Sequence, residues 1–151
     1  MKFFLIIILT SLLFVACNNA ENTDSAKHDQ PQTHEDSLFK DVMDGHDFAM
    51  ARMNRIPALQ KRVQQAADSI NKLPEKLKKE ATVYKAQLDS LSEKLKYADF
   101  SMNRWMEEFN YDSATKSSNR NAYLESENKK ITGVKEAMLS ALHAADSLFK
   151  K

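Results

Sequence analysis

Glycine and proline are nearly missing from this chain. Only Gly45, Gly133, Pro31, Pro57 and Pro74 punctuate 151 residues. Sheet proteins and doubly wound folds turn often, and their turns use these two residues. Their scarcity predicts a few long helices, an all-α fold. It also excludes glycine-rich phosphate loops, because neither GxGxxG nor a Walker A pattern can be written here. A single cysteine, Cys17, excludes an intramolecular disulfide. An excess of one charge sign is absent too. Lys and Arg number 22 and Asp and Glu 21, for a formal charge of +1. Lys2 lies in the leader described below; without it the counts are equal. Such a balance supplies no electrostatic reason to bind nucleic acid. The charges are mostly interleaved, as on solvated helix faces.

Long apolar runs are likewise lacking. The one run, Phe3 to Leu13, is about half the ~20 residues that a bilayer span needs. With Lys2 before it and Phe14-Val-Ala-Cys17 after it, residues 1–16 read as a signal peptide. The last four residues resemble the lipobox of bacterial lipoproteins, with Phe14 where that motif usually has leucine. The resemblance implies cleavage before Cys17, diacylglyceryl transfer to its sulfur and N-acylation. Several acyl chains would anchor the protein stably, at ~0.8 kcal/mol per buried CH₂. Asn18 follows the cysteine where enterobacterial lipoproteins retained at the inner membrane carry aspartate. Residues 18–24 hold no dense acidic run of the kind that resembles a surface-export signal in Bacteroidota. The expected address is the outer membrane, with the periplasmic side favoured over the cell surface. Residues 17–34, the lipidated Cys17 and a polar stretch after it, cannot bury enough apolar surface to offset their ordering entropy, and read as a tether. His28 and His34 fall within it and read as solvated.

Residues 35–151 are expected to form an antiparallel three-helix bundle with helices near 35–72, 74–110 and 119–150. Thr33, Asp36 and Ser37 are candidate caps for the first. Its apolar stripe runs through Phe39, Val42 or Met43, His46, Ala49 or Met50, Met53 and Ile56. Pro57 should kink it, and the periodicity resumes at Leu59, Val63 and Ile70. Two separate helices are the alternative. Gly45 costs ~1 kcal/mol relative to alanine in a helix interior and leaves room for a helix or a ligand to approach closely. The second predicted helix carries the strongest periodicity. Leu77, Ala81, Tyr84, Leu88, Leu91, Leu95, Ala98, Met102, Trp105 and Phe109 alternate steps of four and three. The third carries Leu124, Ile131, Val134, Met138, Ala141, Ala145 and Leu148, with Leu142 sharing the burial and Glu127 the one polar intrusion. The pentamer Asp-Ser-Leu-Phe-Lys recurs at 36–40 and 146–150 without matching flanks and carries no repeat.

Met43, His46 and Met50 fall at i, i+3 and i+7, on one face of a helix. A hairpin near residue 73 sets them level with Met102, Trp105 and Met106. His143 goes to the opposite end. Thioether and neutral imidazole suit Cu(I), and Trp105 can add a cation–π contact. These ligand types resemble those of periplasmic copper chaperones, which are small β-barrels. The competing reading is core packing, since methionine fills irregular helical cores. The cluster therefore has two readings, packing or a partner surface first and Cu(I) second.

No catalytic constellation accompanies it. HExxH is absent, Glu107 and Glu108 are adjacent and diverge on a helix, and no strand-turn-helix context presents a serine. Haem held by His46 and a methionine finds little room among three helices. The whole pattern resembles small helical lipoproteins of Bacteroidota: a lipobox leader, a polar tether, HDxxM (His46, Asp47, Met50) and WMxxF (Trp105, Met106, Phe109). That resemblance implies an architecture and an address. The expected function is a non-enzymatic binding or structural module of the cell envelope, with membrane and protein partners. The alternative is a periplasmic Cu(I)-binding protein.

Overall fold

The structure is a computed structural model that describes residues 33–150. The leader expected over 1–16, Cys17, and all but the last two residues of the tether expected over 17–34 lie outside the described residues. Every regular element among the described residues is an α-helix: α1 (His34–Met53), α2 (Arg55–Asn71), α3 (Glu75–Glu80), α4 (Thr82–Glu108), α5 (Tyr111–Thr115) and α6 (Arg120–Phe149). None is long and apolar enough to cross a membrane.

The helices begin and break for local reasons. Thr33 caps α1, its side chain accepting the Asp36 N–H at 3.1 Å, and Glu35 and Asp36 place negative charge on the positive end of the helix dipole. Arg120 donates to Asp36 at 2.9 Å and to the Ala114 carbonyl at 2.6 Å, tying the starts of α1 and α6 to α5. The guanidinium of Arg120, with help from Thr33, holds the Asp36 carboxyl below its ordinary 3.8. That contact is complete at neutral pH and is lost only as pH falls through the lowered value. Between α1 and α2 the axis is interrupted at Asn54, whose backbone stays close to helical (φ −62°, ψ −20°). Pro57 offers no N–H to the Met53 carbonyl, so the break expected at the proline appears one turn earlier. A second interruption at Ala81 separates α3 from α4. There Ala81 N–H bonds to Leu77 O at 3.0 Å and Lys85 N–H to Ala81 O at 2.9 Å, so the backbone ladder bridges the gap. Asn110 opens α5 by accepting the Ser113 N–H at 2.9 Å.

Helix α6 packs along both α1 and α4, and α2 packs on α4. Two apolar clusters form the interior. One gathers Ile56, Val63 and Ile70 with Leu88, Leu91, Leu95 and Ala98, and with Met138, Ala141, Leu142 and Ala145. The other gathers Val42 and Ala49 with Met102, Trp105, Ala114, Leu124, Ile131 and Val134. Met53 packs against both. The heptad stripe of α4 is buried from Leu88 to Trp105, whereas Leu77 and Tyr84 remain exposed.

Glu127 interrupts the buried stripe of α6 between Leu124 and Ile131, and it is only 1% exposed. One carboxylate oxygen accepts from Lys130 Nζ at 2.8 Å, and the other has no partner among the described residues. The hydrogen bond to the Glu127 carboxylate raises the Lys130 ammonium above its ordinary 10.5, so the ammonium stays charged throughout the neutral range. A buried charge with one half-exposed partner is a net liability. Glu127→Met should therefore raise the unfolding free energy by about 1–3 kcal/mol. Lys130→Met, which strands the carboxylate, should lower it by about 2 kcal/mol. Urea denaturation of the two variants checks both signs. A destabilised Glu127→Met chain would mean that the carboxylate serves a partner that helix packing does not supply.

Candidate functional site

Close approach of α1 to α6 decides which residues of α1 turn inward. Val42, Gly45 and Ala49 are buried, and a Cβ at Gly45 would lie 3.0 Å from Cγ1 of Ile131. Small side chains on that edge let the two helices meet. Of the larger residues one step round, Met43, His46 and Met50, His46 meets α4 at Trp105.

The structure divides the expected cluster. Met102 is fully buried and belongs to the core, and Trp105 is buried beside it. Met43 and His46 are half-buried. Met50 and Met106 stand at the surface, 40% and 37% exposed. On α4, Glu108 sits near enough to Lys130 of α6 for their charges to interact. Met106 follows Trp105 directly on α4. His46 and Trp105 meet across the seam with ring centroids 5.6 Å apart and planes tilted by 42°. Behind Trp105 an aromatic line continues to Phe109 at 4.8 Å and on to Tyr123 at 6.1 Å. Tyr123 fixes the end of α4 by accepting the Asn110 N–H at 2.7 Å. The expected meeting of the HDxxM and WMxxF stretches is therefore present at His46 and Trp105.

His46 Nδ1 lies 2.8 Å from Asp47 Oδ1. A carboxylate only accepts, so this contact places the ring hydrogen on Nδ1 and leaves the lone pair on Nε2. The Trp105 indole N–H is buried with no acceptor among the described residues. Among the described residues no three His, Cys, Asp or Glu side chains gather as a metal-holding group. His143 is exposed, far from the seam in sequence and on the last turns of α6.

A second surface feature was not singled out by the sequence. A depression along α4 and α6 is lined by Lys94, Tyr97, Gly133, Glu136, Ala137 and Ser140. Tyr97 and Phe100 on α4 and Leu139 on α6 are all exposed. The signal was available in the repetition of small residues at Gly133, Ala137, Ser140 and Ala144, spaced four, three and four apart.

No family model, curated protein or solved structure gives a significant match to this chain.

Proposed function

We propose that this protein is a lipid-anchored, non-enzymatic helical module of the bacterial envelope, held at the outer membrane and facing the periplasm, which binds or braces a protein partner. The observation that carries the reading is the position of the only cysteine, Cys17, directly after Phe14-Val-Ala at the end of an apolar leader. The helices fit the same picture as an antiparallel three-column bundle, with α1–α2, α3–α4 and α6 as its columns. Asp36 pairs with Arg120 and Arg55 with Asp146, so the first and third columns rise together. Lys94 meets Ser140 and Phe109 meets Tyr123, so the middle column runs against them. The exposed Tyr97, Phe100 and Leu139 offer a partner apolar contact area.

The anchor is directly testable. Expressed in a bacterium with a lipoprotein pathway, the full chain should sediment with membranes and incorporate a labelled fatty acid. Cys17→Ser should remove the label and move most of the protein to the soluble fraction. Retention of both label and membrane association in the Cys17→Ser variant would sink this reading.

A further inference from the structure

We propose a binding site for a single soft monovalent cation, Cu(I) or its analogue Ag(I), at the rim of the α1–α4 seam, with Met43, His46 and Met50 as ligands, Met106 as the closing thioether and Trp105 beneath. The site goes beyond the anchored-module reading and does not rest on it.

Three observations point to a ligand here. The first is exposure. A methionine that fills a core is buried, as Met102 and Met138 are, both at 0%. Met50 and Met106 are instead open to solvent, Met50 one helical turn from His46 and Met106 next in sequence to Trp105. The second is spacing. His46 sits three residues after Met43 and four before Met50, so each thioether lies one helical turn from the imidazole. Side chains so spaced have Cβ atoms about 5–6 Å apart, within reach of one ion for a flexible methionine. The third is the histidine's own hydrogen bond. Asp47 holds Nδ1 at 2.8 Å, the carboxylate–histidine arrangement that orients a metal-bound imidazole. It leaves Nε2 as the free donor.

The chemistry selects the ion. Thioether sulfur binds Zn(II), Mg(II) or Ca(II) poorly and suits Cu(I), which accepts two to four soft ligands. No thiolate is needed, and none is available on the described helices. Trp105, with its ring 5.6 Å from that of His46, lies where its face can meet the charge of an ion held on the imidazole. Met102 faces the core and takes no part, although it lies on the neighbouring turn.

The test uses the full chain carrying Cys17→Ser, so that the one thiol does not compete. Anaerobic titration with Cu(I), and separately with Ag(I), should quench the fluorescence of Trp105, the only tryptophan, with a break at one equivalent. The same titration should shift the methyl resonances of Met43, Met50 and Met106 and leave that of Met102 in place. Met43→Leu and Met50→Leu keep size and apolarity and should each weaken binding at least tenfold. His46→Ala should weaken it at least a hundredfold, and Asp47→Asn tenfold or more. Met102→Leu should leave affinity unchanged. Circular dichroism establishes that each variant is folded. The site is refuted if no break appears by three equivalents, or if folded Met50→Leu and His46→Ala chains bind as the parent does.

Discussion

Replacing Trp105 by alanine should lower the unfolding free energy by about 3–5 kcal/mol, the range for truncating a large buried aromatic. The side chain is 4% exposed and stands where α1, α4 and α6 converge, with Met102, Leu124 and Ile131 in the same core cluster and its ring tilted against those of His46 and Phe109. Its removal opens a cavity that rigid helices on three sides cannot collapse into. Trp105→Phe should cost much less, about 1 kcal/mol. The loss of ring volume is partly offset, because the indole N–H has no acceptor among the described residues and its desolvation is relieved. Urea midpoints followed by circular dichroism separate the two variants, with an unchanged slope showing that stability alone has moved. A Trp105→Phe chain as unstable as Trp105→Ala would show that the N–H holds a hydrogen bond after all.

Gly45→Leu should be nearly as damaging, with a loss of about 3 kcal/mol, the upper part of the range for overpacking. The mere Cβ meets Ile131 Cγ1 at 3.0 Å and Cγ2 at 3.1 Å, and a leucine adds three further carbons to that contact. Ile131 is itself 1% exposed and cannot swing into solvent. Neither helix can yield without disturbing the Arg120–Asp36 tie at one end or the Arg55–Asp146 pair at the other. Ile131→Ala on its own should cost about 2–4 kcal/mol. Combined in one chain the two changes should cost less than their sum by more than 1 kcal/mol, since each creates what the other needs. A double-mutant cycle in urea measures that coupling. Strict additivity would mean that the two residues do not touch.

The second of these predictions also shows where sequence reasoning stopped. On α4 the heptad stripe was legible almost residue for residue, because its inward positions are large and apolar: Leu88, Leu91, Leu95 and Met102. Hydropathy and burial agree there. The interruption near Pro57 and the cap at Thr33 were legible from backbone chemistry alone. On α1 two neighbouring stripes competed. The expected stripe took Val42 or Met43, then His46, then Ala49 or Met50, and the structure buries Val42, Gly45 and Ala49. Size settles the choice, since helices that approach closely select what is small at the contact. That preference appears only when the partner, Ile131, is known. The same rotation explains the candidate site: His46 does reach Trp105, while Met43 is half-buried and Met50 exposed. The break at Ala81 and the helix α5 were not legible as elements. The first involves no glycine or proline, and the second is one turn held by the Asn110 cap.

The interior is not one continuous core but two, touching mainly at Met53, beside the interruption at Asn54. In the first half of the molecule α1 leans on α6, and past Asn54 the chain transfers its weight to α4 through α2. Amide protons should therefore exchange in two groups with separate opening free energies, divided at the level of Met53. The end that carries His46 and Trp105 could then loosen and close again while the far end keeps the molecule assembled.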